Sequence, residues 1–291
     1  MLNKWDKALH DEIHVSMLKQ DPRTLLNNYR LDILDEINDN FKVEGVVADV
    51  GCGNGYFGIG LAKKFPNLLR VDCIEASKRA VEEVIPRNIK FYEVGTIVKP
   101  IYGSFDDLGS EKYNIIFAMG ALHHSQDLKK TLGSITKALK PNGMLIALEP
   151  AMPDNTTHAD YQFKYNIIEE RFGLKIRNGD RFDRFFRECE YKYCLVVNGF
   201  DICSWEDHKK KDDKKSKLNM NYQLFKNYLA VNGYKNTLLK VISSLKQKEK
   251  NYVSQPNTWT KDMNKAVANV KLKLIIARKS ECEKIYHEKS S

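Results

Sequence analysis

Residues 46–58, VVADVGCGNGYFG, force one piece of chain geometry. Five strand-forming residues, VVADV, run into Gly51, Gly53 and Gly55, and the following FGIGLAKKF reads as a helix. Apolar strand, glycine turn and helix make the opening βα unit of a parallel sheet, since glycine turns tightly and lets the backbone approach a ligand without a Cβ in the way. The alternation continues with strands expected at RVDCIE (70–75), IKFYEV (89–94), YNIIFAM (113–119) and GMLIALE (143–149), separated by helical stretches such as DLKKTLGSITKALK. Near-continuous apolar strands belong to a sheet covered on both faces. Phe65-Pro66-Asn67 and Pro86 are expected to end the first two crossover helices, and Lys140-Pro141-Asn142-Gly143 to turn into the fifth strand.

The flanks complete the architecture. Asp21-Pro22 begins a helix over 21–39 with Leu25, Tyr29, Ile33 and Ile37 on one face. Helices are expected at 158–172 and 181–197, the second with Phe182, Phe185, Phe186, Cys189, Tyr193 and Val196 along one face. Asn198-Gly199 supplies its C-cap, FDICSW resumes as a strand, and VKLKLIIARK, 270–279, is the last strand. The predicted fold is an α/β, doubly wound, mostly parallel seven-stranded sheet. An N-terminal helical cap occupies 1–43, the core 44–206, a lysine-rich helical insertion 207–268, and the last strand with its tail 269–291.

Charge follows the same division. Residues 201–291 carry 20 Lys+Arg against 10 Asp+Glu, so the net charge of +9 belongs to the C-terminal third. That surface is either a solvated helical face or an attraction for an anionic partner. The six cysteines form no C-x-x-C pair, and no histidine pair stands at zinc-ligand spacing beside them, so reduced structural thiols are expected. No apolar run reaches the ~18 residues of a membrane span, and a cytoplasmic protein is expected. There is no G-x-S-x-G, H-E-x-x-H or G-x-x-x-x-G-K-[ST] motif.

Two ligands suit the glycine turn. Gly53, Gly55 and Gly58 have dinucleotide-binding spacing, and Glu75, at the end of the second strand, could bind a ribose diol in either case. Asp49 separates them. A pyrophosphate wants backbone amides and is repelled by a carboxylate, whereas S-adenosylmethionine brings an ammonium and a sulfonium that a carboxylate attracts. The alternative is that Asp49 bonds only loop amides.

At this point the run resembles the nucleotide loop of class I S-adenosylmethionine-dependent methyltransferases, in their small-molecule branch. CIEAS (73–77), FAMGALHHSQDL (117–128), LKPNGMLIALEP (139–150) and LIIARK (274–279) resemble the family in the same order. The resemblance implies S-adenosylmethionine as cofactor and a site of Asp49, Gly51, Cys52, Gly53, Gly55, Glu75, Ala76, Met119 and Gly120. It places Ser104, Phe105 and Asp106, within GSFDDL, at the adenine, although the family's acid is missing at 104 and an extra VGTIVKPIY precedes the run.

Methyl transfer needs the nucleophile held in line with the methyl in a water-poor cleft, and a base where the nucleophile is a hydroxyl or a protonated amine. His123 and His124, after the fourth strand, and Glu149, ending the fifth, are the catalytic candidates, with His124 favoured by the resemblance. Either histidine could instead cap the next helix, and Glu149 could bind the methionine end, the substrate or a loop. Tyr161, Tyr165, Asp180, Arg181 and Arg184 lie where the family shapes its acceptor pocket. No metal is expected. The expected activity is O- or N-methylation of a small molecule, a glycan or a nucleotide-sugar precursor, with no membrane partner. The rivals are an RNA or protein methyltransferase gripping its polymer through the basic insertion, a non-catalytic S-adenosylmethionine-binding module, and an NAD-dependent oxidoreductase.

Overall fold

A computed structural model describes residues 20–156, 186–208 and 271–280. The helix expected at 158–172, Tyr161, Tyr165, Asp180, Arg181, Arg184 and the stretch 209–268 lie outside these residues. The chain divides into two compact units, residues 1–208 with 270–291 and residues 209–269, and every described element belongs to the first.

Seven strands form one sheet: β1 (Gly45–Val50), β2 (Leu68–Glu75), β3 (Val98–Tyr102), β4 (Tyr113–Met119), β5 (Leu139–Ala151), β6 (Phe200–Asp207) and β7 (Lys271–Lys279). Their order is β3-β2-β1-β4-β5-β7-β6. The first five are mutually parallel, and β7 runs antiparallel to both β5 and β6. Strand order reverses at β1, so the ligand crevice of such a sheet lies beyond the carboxyl ends of β1 and β4.

Side chains alternate across a strand, and the alternation sorts the site. Val47, Ile115, Phe117 and Ile146 pack with Phe57, Ile59 and Leu61 of α2 (Tyr56–Lys64), which puts Asp49 on that face. Ala48, Ile116, Leu145 and Ala147 face α4 (Leu128–Ala138) and α5 (Glu188–Val197), which puts Glu149 on the other. Each layer buries its own apolar cluster.

Three expectations are corrected. IKFYEV is not the third strand: a π-turn at Ala80–Val84 continues into α3 (Ile85–Tyr92), with Pro86 in its first turn rather than after its end. Proline is tolerated inside this continuous helical stretch because the wider π-turn before it, in which Ile85 N reaches back to the Ala80 carbonyl, eases the ring's crowding against the preceding turn, and the buried Ile89 and half-exposed Phe91 follow helical facing. The third strand is VKPIY, inside the segment taken as extra; as an edge strand it accommodates Pro100. The segment 21–39 is not one helix. The Asn28 side chain takes the Arg30 amide at 3.0 Å, dividing 3₁₀ turns at Pro22–Asn27 and Tyr29–Asp32 before α1 (Ile33–Asn40). Finally, α5 buries Tyr191 and Leu195, with Phe186 just before it, and exposes Cys189, Tyr193 and Val196.

Candidate active site

The turn after β1 is held by its neighbour strand. Gly51, Gly53 and Gly55 have φ of 65°, 59° and 79°, a left-handed series that allows the tight reversal. The amides of Gly51 and Cys52 donate to the Ile74 carbonyl, at 2.9 and 3.2 Å. Glu75 completes the clamp, its two oxygens accepting from Gly53 N at 2.8 Å and Ser77 N at 3.0 Å. Ala76, half-buried, lies between the clamped positions. Beyond the turn there is room: a Cβ added at Gly53 would meet nothing within 4 Å.

Asp49 lies beneath the turn and is 1% exposed. One of its oxygens accepts from Gly58 N, at the start of α2, at 2.9 Å. Burial pushes its carboxyl up to about 8 against the opposing pull of that amide, and the charge of Glu75 pushes the same way. At neutral pH it is mostly protonated, an acid that an arriving cation would ionise.

On the β3 side, Ser104 offers its amide and hydroxyl to Asp107, both at 2.8 Å. Phe105 packs against the α4-side core, and exposed Asp106 pairs with Lys130 at 3.2 Å. Asp107, unnoticed in the sequence, is therefore the acid that shapes this loop.

At the other end of the crevice, Met119 is buried and Gly120 turns away with φ +74°. A Cβ at Gly120 would come within 3.0 Å of an Arg30 guanidinium nitrogen, so the glycine makes room for a cation from the N-terminal segment. No motif marks Arg30 in the sequence, and only the fold brings it to the end of β4.

Glu149, fully buried, ties β5 to the turn after β4. One oxygen accepts from Ala121 N and Leu122 N at 2.6 and 2.8 Å; the other accepts from His123 N at 3.3 Å and meets His123 Nδ1 at 2.8 Å. A carboxylate so placed holds the hydrogen on Nδ1 and leaves Nε2 as the basic nitrogen. The His124 ring lies against that of His123, tilted by 38° with ring centroids 4.1 Å apart. Neither histidine caps α4, because Asp127 does so by accepting Lys130 N at 3.0 Å.

Among the described residues no helix is long and apolar enough to cross a membrane. The family described as "Methyltransferase domain" matches residues 48–145. The chain is 23% identical over 166 residues to a ubiquinone biosynthesis O-methyltransferase of Rickettsia conorii, covering 57% of this chain and 53% of that one. It thus spans about half the length of that relative. A malonyl-[acyl-carrier protein] O-methyltransferase of Priestia megaterium is 24% identical over 240 residues, covering 80% and 78%. The solved geranyl diphosphate C-methyltransferase of Streptomyces coelicolor, in complex with Mg2+, geranyl diphosphate and S-adenosyl-L-homocysteine, superposes with a TM-score of 0.54 at 12% identity over 84% of this chain and 76% of that one. At that identity the likeness is one of fold. Fold, glycine turn and domain match agree on residues 48–145, a methyltransferase domain built on the class I methyltransferase sheet.

Proposed function

We propose that this protein transfers a methyl group from S-adenosylmethionine to an oxygen or nitrogen of a small molecule, a glycan or a nucleotide-sugar precursor. The observation that carries the reading is the row of ionisable groups along adjacent strand ends: Glu75 on β2, Asp49 on β1, and Arg30 against the end of β4. Neighbouring strands lie about 4.8 Å apart, so these groups suit a ribose diol, a cationic centre and a carboxylate set out in a line. The open space above Gly53 suits a bound group of that kind. Two relatives named as O-methyltransferases and a structural neighbour holding S-adenosyl-L-homocysteine support it.

S-adenosylmethionine supplies an electrophilic methyl group on sulfur. The residues of this chain do the rest. The glycine turn and Glu75 hold the adenosyl part, with Ala76 and the Ser104–Asp106 loop beside it. Arg30 takes the carboxylate. Asp49, ionised on meeting the cation, balances its charge, and Met119 and Gly120 close the end of β4. His123 Nε2 accepts the proton of an acceptor hydroxyl or amine, held in its tautomer by Glu149, while His124 lies against the ring. Glu149 acts as a positioning residue rather than as the base. The lysine-rich stretch 207–268 favours an anionic acceptor.

Two measurements test this. Labelled methyl from S-adenosylmethionine is expected in the small-molecule and glycan fraction of a cell extract; label confined to RNA or protein would reassign the acceptor, and no label at all would remove the transferase reading. By calorimetry, Arg30→Gln should weaken S-adenosylmethionine about tenfold and leave 5′-methylthioadenosine, which lacks the amino-acid part, unchanged. Equal loss for both ligands would take Arg30 out of the site.

A further inference from the structure

Three potential metal ligands meet under the glycine turn: an Asp49 oxygen, Cys52 Sγ and Cys73 Sγ, all within 4.8 Å of one another. All three residues are buried, and both cysteines are free thiols. Cys73 is the partner of Asp49 across the β1–β2 ladder, while Cys52 is carried over by the turn whose amides bond Ile74. Their proximity therefore follows from backbone pairing, although 21 positions separate them in sequence.

The neighbourhood leaves space for the sulfur. A Cβ on Gly58 would collide with Cys73 Sγ, so this glycine, which also orients Asp49 through its amide, clears the volume in which the three donors converge. Zinc-class ions bond thiolate sulfur at ~2.3 Å and carboxylate oxygen at ~2.0–2.2 Å, which sets tetrahedral donors roughly 3.5–3.8 Å apart. Side-chain movements of about an ångström close the present arrangement to that spacing. Two thiolates with one carboxylate select a thiophilic cation over magnesium or calcium.

We propose that Asp49, Cys52 and Cys73 form a binding site for a thiophilic d¹⁰ cation of the Zn2+ class, and that occupation of this site weakens cofactor binding. Two metal–sulfur bonds and one metal–oxygen bond form, the two thiol protons and the proton held by the Asp49 carboxyl leave to solvent, and no oxidant is involved. Asp49 bound to the metal no longer faces the cofactor's cation; this second part rests on the cofactor reading above.

Cd2+ serves as the probe, with the full-length chain kept reduced by a non-thiol, non-chelating reductant. Thiolate-to-cadmium absorption is followed in the ultraviolet, and S-adenosylhomocysteine affinity is measured by calorimetry with and without one equivalent of Cd2+. The absorption should fall by at least one thiolate's worth in Cys73→Ala, and Cd2+ should weaken S-adenosylhomocysteine at least tenfold in the natural sequence but less than twofold in Cys73→Ala. Cys73→Ala should bind S-adenosylhomocysteine normally without metal, which certifies its fold, and Cys73→Ser serves the same purpose if it does not. Unchanged absorption in the variant would overturn the site. An equal effect of Cd2+ on both proteins would overturn the coupling. Failure of S-adenosylhomocysteine to bind either protein without metal would instead strike the cofactor reading, leaving the absorption arm to decide the metal site.

Discussion

Two buried acids stand at the carboxyl edge of the same sheet, one on each face, and their surroundings differ. Glu149 accepts three backbone amides and one imidazole hydrogen; Asp49 accepts one backbone amide. Both are almost wholly buried, so exposure does not separate them. Bonding does. A carboxylate surrounded by donors is an anchor, whereas one left with a single donor in a dry place stays largely protonated and pulls on whatever cation comes next. One half of the crevice is thus fixed, and the other is poised.

The largest effect should come from breaking the anchor. Glu149→Ala leaves three amides of a buried turn without an acceptor, at about 1–3 kcal/mol each, so stability should fall by at least ~3 kcal/mol. Thermal unfolding should show this as a drop of roughly 6 °C or more. A change within 2 °C would mean that water substitutes for the carboxylate and that the two acids differ less than their contacts suggest.

The next test concerns what the anchor holds. His123→Ala should lower turnover about a hundredfold, the low end for loss of a general base, with S-adenosylhomocysteine affinity changed less than threefold. His124→Ala should cost much less. If His124→Ala proved the more damaging, the tautomer set by Glu149 would not be the one that matters.

The finest effect distinguishes the poised acid. Asp49 carries a raised carboxyl, so the folded protein keeps a proton that the unfolded chain releases above about pH 4. Its contribution to stability accordingly falls as pH rises from about 4 to about 8, and is level beyond. Asp49→Asn should remove that slope, leaving the ligand-free protein more stable than the natural sequence at pH 9. The same variant should bind S-adenosylhomocysteine ten- to hundredfold more weakly, and the natural protein's affinity should tighten by up to tenfold per pH unit between about 6 and 8. Parallel stability curves for the two proteins would show that Asp49 is no more strained than Glu149.

Sequence showed one half of this contrast well. Strand, glycine turn and Glu75 are local features, fixed by backbone requirements within 30 residues, and they lie where expected. The approach of Arg30 to Gly120, the proximity of Cys52 to Cys73, and the bond from Glu149 to His123 depend on which strands become neighbours or on rotamers, neither of which is written in a local pattern. IKFYEV fits both a strand and the last turns of a helix because its six residues are of mixed polarity, and the deciding fact is that the helix runs on through Pro86 from the π-turn at Ala80–Val84. In α5, Tyr191 and Leu195 are a helical turn apart in the same way as Cys189 and Tyr193, so periodicity alone could not say which stripe met the sheet.

The position of β7 has a consequence for how the molecule is made. It lies between β5 and β6, pairing with both, yet it is the last of the described strands along the chain. During synthesis, β6 emerges with no strand in the sheet to receive it, and the apolar margin of β5, Leu145 to Leu148, waits uncovered until residue 279 has left the ribosome. The closing contacts span more than 120 positions, between Leu148 and Leu274 for example. Contacts of such range form slowly, so for that interval the nascent chain carries a strand edge open to any extended segment nearby. The half of the crevice floored by β1, β2 and β4 can be complete well before the wall beyond β5 exists.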